Sequence, residues 1–134
     1  MLDTNIVSGL MRGDAAILER LRRIAKQDVS IPQPVLAEIA YGIERLPRSR
    51  RKTRLQARYA LILGEVARAA WTDEVSRRFG SIKASLERRG QRIEDFDAAV
   101  AAHALATGTV LVTANVDHLA RVEGLQVEDW SHGG

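Results

Sequence analysis

The chain has no cysteine. That absence removes disulfide frameworks, thiol nucleophiles, zinc fingers and iron–sulfur clusters together. Aromatic residues make up only 4% and sit mostly at apolar-face positions, which leaves little for the base stacking used by single-strand binders. No apolar run approaches the roughly 20 residues of a membrane span. The stretch Met1–Gly13 carries an acid at Asp3 and lacks the basic-then-apolar order of a secretion signal, so the cytoplasm is the expected compartment. There is no internal repeat and no low-complexity linker. Lysine is rare as well: of 20 basic residues only Lys26, Lys52 and Lys83 are lysine and 17 are arginine.

What remains describes an ordinary globular chain. Its 134 residues make one domain, long enough to bury a core without a structural metal. Hydrophobic residues at 46% and charged residues at 28% exclude intrinsic disorder as the overall state. The net charge is only +3, but its distribution is uneven: Arg45 to Arg58 holds seven basic residues and no acid. Arginine presents a planar donor fork suited to phosphate and carboxylate.

The elements are short and well punctuated. Asp14 reads as an N-cap for a helix through Ile17, Leu18, Leu21, Ile24 and Ala25 to about Gln27. Asp28–Ile31 alternates like a strand that Pro32 ends, and Pro34 suits the first turn of a helix carrying Val35, Leu36, Ile39, Ala40, Ile43 and Leu46. Ser49 is positioned to cap the basic helix. Val66–Trp71 reads as a strand, and Thr72 opens a helix closed by Gly90. Asp95 reads as the cap of the Ala-rich helix Phe96–Thr107, ended by Gly108. Thr109–Thr113 (TVLVT) has the continuous apolar character of a strand buried on both faces. A short helix over Val116–Val122 and a strand over Leu125–Trp130 follow. Strands alternating with helices predict an α/β fold with a mainly parallel sheet, whose sites form beyond the carboxyl ends of the strands.

Four polar residues fall at such places. Asp3 lies at a strand-to-helix junction. Glu38 is the one acid amid Val35, Leu36, Ala37, Ile39 and Ala40. Asp97 occupies the first turn of the Ala-rich helix, and Asn115 follows the buried strand. Each has a plain alternative: Asp3 as a helix cap, Glu38 as a partner for Arg45, Asp97 as a helix-dipole charge, Asn115 as a turn residue. Together they suggest more. Converging carboxylates repel one another unless a cation neutralises them. Oxygen ligands without cysteine suit Mg²⁺ or Mn²⁺, and such a metal beside a basic surface points to phosphodiester hydrolysis.

The segments Leu2–Ile6 (LDTNI), Pro34–Glu44 (PVLAEIAYGIE), Asp95–Leu105 (DFDAAVAAHAL) and Leu111–Trp130 (LVTANVDHLARVEGLQVEDW) resemble, in order and spacing, the four signature blocks of PIN-domain ribonucleases of the VapC toxin family. The resemblance covers essentially residues 1–134. It implies a single PIN-like α/β domain with a central, mainly parallel sheet flanked by helices. It also implies an Mg²⁺- or Mn²⁺-dependent endoribonuclease toxin of a type II toxin–antitoxin system. Such enzymes cut transfer or ribosomal RNA to leave a 5′-phosphate and a 3′-hydroxyl, are silenced by a VapB-like antitoxin, and commonly form homodimers. Asp3, Glu38 and Asp97 match the metal ligands, and Asn115 matches a fourth catalytic position that is Asp in many PIN domains. Thr4, Asn5 and Thr113 match residues that support the site.

Two departures from the family pattern stand out. Only Met1 and Leu2 precede Asp3, so the first strand is short and a start upstream is expected. Asn115 supplies no charge, which makes one metal easier to support than two. His103, about 120° round the helix from Asp97, reads as a half-buried structural histidine, and His118 and His132 read as surface residues. In the basic run, Arg48, Arg50, Arg51, Lys52 and Arg54 form a solvated face or contacts for RNA phosphates or antitoxin acids. The apolar faces of residues 35–46 and 55–63 offer a dimer interface. The competing reading is a catalytically impaired PIN-like module that binds RNA or protein. A phosphate-accepting receiver domain is disfavoured because no lysine follows Lys83.

Overall fold

Seven α-helices and four short strands run along the residues that the computed structural model describes, 1–131. Asp3 caps α1 (Thr4–Met11), its Oδ1 accepting from the Thr4 amide at 2.8 Å. Asp14 caps α2 (Ala15–Arg22) by accepting from the Ala16 and Ile17 amides. The helix stops at Arg22 rather than near Gln27, because a 3₁₀ turn over Lys26–Asp28 redirects the chain and leaves Ile24 40% exposed. Strand β1 (Ser30–Pro32) leads directly into α3 (Gln33–Glu44), with Pro34 in its first turn. Ser49 caps α4 (Arg50–Glu65), accepting from the Lys52 amide. After β2 (Ala67–Ala69), Thr72 caps α5 (Asp73–Arg88). Gly90 closes α5 at φ +66°, a left-handed conformation glycine adopts without penalty.

Helix α6 (Asp95–Thr107) differs from the expectation at its start. Glu94 is the N-cap without a side-chain bond, Asp95 is the first helical residue, and Asp95 pairs instead with Lys83 at 3.1 Å. Seven consecutive residues of α6, Ala98–Ala104, are buried. Small side chains on nearly every face let it run through the interior. The remaining elements are β3 (Leu111–Val112), α7 (Val116–Leu119) and β4 (Val127–Glu128).

The strands form two parallel pairs, β1 with β2 and β3 with β4. The N-terminal segment joins them: the Leu2 amide donates to Ser30 O at 3.0 Å, and Leu2 forms a parallel bridge with Val112. The spatial order is therefore β2, β1, residues 1–3, β3, β4. Regular pairing in the TVLVT run is confined to Leu111 and Val112; the Thr113 amide still donates to Glu128 O at 2.9 Å, while its hydroxyl turns to Asp3. Leu2, Ile6, Ile17, Ile31, Val35, Leu111 and Leu119 are almost wholly buried, and each such side chain contributes roughly 1.5–3 kcal/mol. The dimer expectation for residues 35–46 loses most of its surface here. Val35, Leu36, Ile39 and Ile43 face this chain's own core, while Tyr41 and Leu61 stay 68% and 67% exposed. No helix among the described residues is long and apolar enough to cross a membrane.

Candidate active site

The carboxyl ends of the parallel strands carry Asp3, Thr113 and Asn115, while α3 carries Glu38 and the first turn of α6 carries Asp97. Asp3 follows Leu2 and is 3% exposed. Thr113 follows β3 and is wholly buried, with its hydroxyl donating to Asp3 Oδ2 at 2.7 Å. Thr113 Oγ1 also accepts from the Asn115 amide at 3.0 Å and from Asn5 Nδ2 at 3.4 Å. Asn5 Oδ1 in turn accepts from the Ala114 amide. Thr4 Oγ1 donates to Glu38 Oε1 at 2.7 Å, linking α1 to α3. Asn115 Nδ2 donates to Asp97 Oδ2 at 3.1 Å, linking the end of β3 to α6. Direct hydrogen bonds thus join Asn5, Thr113, Asp3, Asn115 and Asp97 in one network. The alternative of Glu38 as a partner for Arg45 is not met: among the described residues no such ion pair forms, and Glu38 accepts from the Thr4 hydroxyl instead.

The electrostatics show an excess of negative charge. The Asp97 carboxyl is pushed above its ordinary range, first by burial and then by the Asp3 and Glu38 carboxylates, while His118 opposes the shift. A cation would relieve this, and the donor set (three carboxylates and an amide, no sulfur) suits a hard divalent ion. Among the described residues no three acidic or histidine side chains already close round a cation. Each carboxylate turns at least one oxygen to a neutral donor instead. In donor chemistry the residues therefore fit a divalent metal.

The histidines divide. His103 is fully buried rather than half-buried, with both ring nitrogens unpartnered and its ring edge-on to Trp71 at 5.4 Å. Desolvation lowers its pKa. It stands away from the carboxylate network. His118 is exposed on α7, and His132 lies outside the described residues.

A groove opens beside Thr4 and Glu38 and runs between α1, α3 and α4, with Arg12, Arg45 and Arg51 on its lining. Its floor is apolar, from Met11, Ile39, Ile43 and Leu55. Arg12 was not readable as a site residue, since it stands alone in sequence and joins Arg51 only through the fold. Of the basic run, Arg48, Arg50 and Arg54 line a shallow outer surface of α4. Lys52 is largely spent on structure: its Nζ donates to Glu44 O and Leu46 O at the end of α3. Arg58 likewise donates to Met11 O. The aromatics are less buried than their spacing suggests, with Trp71 and Phe96 44% and 47% exposed.

Known proteins share both sequence and fold. Residues 1–125 match the model of the PIN domain family. The chain is 32% identical to the tRNA(fMet)-specific endonuclease VapC of Shigella flexneri, over 98% of this chain and 97% of that one. It is 30% identical to Ribonuclease VapC2 of Rickettsia felis, over 97% and 96%. The solved VapBC2 complex of Rickettsia felis, bound to a DNA fragment from its promoter, superposes with a TM-score of 0.87 at 28% identity, covering 97% of each chain. Fold and sequence agree, and the chain belongs to the PIN-domain family, among the VapC ribonucleases.

Proposed function

We propose that this chain is a metal-dependent endoribonuclease toxin of the cytoplasm that hydrolyses phosphodiester bonds of transfer or ribosomal RNA and is neutralised by a VapB-like antitoxin. The observation that carries the reading is the hydrogen-bonded network of Asp3, Thr113, Asn115 and Asp97, with Glu38, held by Thr4, near enough for its charge to act on Asp97. The Shigella relative, named for transfer RNA, supports that substrate class. The Rickettsia structure, a toxin–antitoxin complex, supports the antitoxin. Family membership supports a divalent metal in general; Mg²⁺ or Mn²⁺ is the finer proposal.

Asp3, Glu38 and Asp97 are the residues to hold the ion. When bound, it supplies charge neutralisation, Lewis-acid polarisation of the phosphodiester and a lowered pKa for the attacking water. The chain's own groups do the rest. Thr113 and Thr4 fix the rotamers of Asp3 and Glu38, so little reorganisation is left for the reaction. The Asn115 amide orients Asp97 and keeps its carbonyl oxygen free to accept from water or ribose. Arg12, Arg45 and Arg51 in the groove, with Arg48, Arg50 and Arg54 outside it, hold RNA phosphates or antitoxin acids. A homodimer belongs to the same proposal, with Tyr41 and Leu61 as its exposed apolar residues.

The second reading is an impaired PIN-like module that binds RNA or protein without cutting. The spread of the carboxylates toward neutral donors favours it. The test is incubation of antitoxin-free protein with transfer and ribosomal RNA, with Mg²⁺ or Mn²⁺ against chelator, beside Asp97→Asn. Discrete metal-dependent cuts, lost in the variant, are expected. RNA binding without any cut would establish the module instead.

A further inference from the structure

On α5, away from the carboxylate network, four polar residues form one helical stripe: Arg78, Ser81, Ser85 and Arg89. Their spacing of three, four and four brings them onto a single face. They line a depression bounded on the far side by Leu105, Val122 and Glu123. The two serines are small, so open space lies between the two guanidinium groups, over the buried side chains of Ile82 and Leu86.

More arginine gathers at one end. Arg89 Nη2 donates to Arg121 O at 2.9 Å, and Arg121 Nη1 donates to Arg92 O at 3.0 Å. These carbonyls fix the guanidinium groups without cancelling their charge. Among the described residues none of Arg88, Arg89, Arg92 and Arg121 forms an ion pair, and the acids Glu87 and Glu123 stay exposed. Arg78 alone is partly neutralised, by Glu74. Glu123 on the rim and Glu74 beside Arg78 offset part of this charge, and Arg88, Arg89, Arg92 and Arg121 leave a positive excess that an anion relieves.

We propose that this depression binds phosphate groups of the RNA backbone and gives the protein a second hold on a folded RNA, apart from the Arg12–Arg45–Arg51 groove. The proposal rests on the RNA-cleaving reading and names a further contact for its substrate. Guanidinium forks match phosphate bidentately, and hydroxyls are common phosphate donors. An acidic protein segment fits less well. The exposed large hydrophobic residues (Ile24, Tyr41, Leu61, Trp71, Phe96 and Val116) all lie outside the depression, and Ile82, Leu86 and Val122 on its lining are themselves buried, which leaves a peptide little to anchor on beyond Leu105.

Ser85→Glu tests it by placing a carboxylate in the depression while leaving the arginine braces intact. Transfer-RNA binding is measured against salt in an Asp97→Asn background with chelator, and Ser85→Ala is the control for folding. The expected result is weaker binding by the Glu variant, with the slope of log affinity against log salt reduced by about one, and no change in the Ala variant. With Asp97 restored, kcat on a short unpaired oligoribonucleotide stays the same. An unchanged slope and affinity for transfer RNA would overturn the proposal, as would equal loss on the short oligonucleotide. Displacement of the RNA by millimolar inorganic phosphate would make a free anion the ligand. Lost antitoxin binding with intact RNA binding would make this a protein surface. A wild type that binds RNA with the expected slope yet cuts none would remove the nuclease reading and leave this contact standing.

Discussion

Thr113 holds the site together at the level of single atoms. Its buried hydroxyl donates to Asp3 and accepts from the Asn115 amide and the Asn5 side chain. Thr113→Val keeps the shape and removes all three bonds, leaving a buried carboxylate oxygen and an amide short of a partner. The expected cost is about 1–3 kcal/mol of stability, with a fall in kcat larger than any rise in KM. Thr113→Ser restores the hydroxyl and should recover most of both, by thermal melting and initial-rate kinetics. Asp97 makes the opposite bargain. Its folded-state pKa lies above the unfolded value, so without metal the carboxylate costs stability at neutral pH. That cost disappears as pH falls through the folded pKa and then below the unfolded one. In chelator, Asp97→Asn should therefore melt higher than wild type at pH 7, and the two should converge as the pH drops toward 4. Equal melting temperatures across that range would deny the charge frustration. His103 adds a separate cost, since two unpartnered ring nitrogens are buried beside Trp71.

Elements show how much could be read locally. The caps at Asp14, Ser49 and Thr72 are present because an N-cap is satisfied by amides two or three residues away. Asp95 broke the pattern because Glu94 already supplies the extended residue and Lys83, distant in sequence, claims its carboxylate. The strands are shorter than their patterns predict for a related reason: TVLVT has a β-type apolar centre, but its ladder depends on what Leu2 and β4 offer as partners. Of the four candidate site residues, Asp3, Asp97 and Asn115 were legible at element ends and Glu38 as the lone acid on the apolar stretch of α3. The Arg12 contribution to the groove was not, because nothing local marks it. The close approach of α1 to α2 was equally hidden. A Cβ at Gly9 would run into Ile17 Cδ1, and Ile17 is packed in the core at 2% exposure. Gly9→Ala should cost about 1–3 kcal/mol through overpacking, less roughly 1 kcal/mol gained in helix propensity. A melting temperature above wild type would mean that Ile17 yields.

Across the whole molecule, charge is divided by place. Acid meets at the strand ends, arginine lines the groove between α1, α3 and α4, and a second arginine group stands by α5. The C-terminal strand is tied back to α2 by Arg20, which pairs with Glu128 at 3.2 Å and lies over the Trp130 ring. Under the proposed function, the acids cut and the two cationic surfaces hold one extended polyanion. All of this depends on Asp3, Glu38 and Asp97 acting together as one cation site. The most direct measurement is Mn²⁺ binding by titration calorimetry, on antitoxin-free wild type and on Asp3→Asn, Glu38→Gln and Asp97→Asn, with RNA cleavage followed on the same samples. Saturable binding by the wild type, weakened at least tenfold by each substitution together with cleavage, is the predicted result. Cleavage that survives in the variants, or Mn²⁺ binding unchanged by all three, would contradict it.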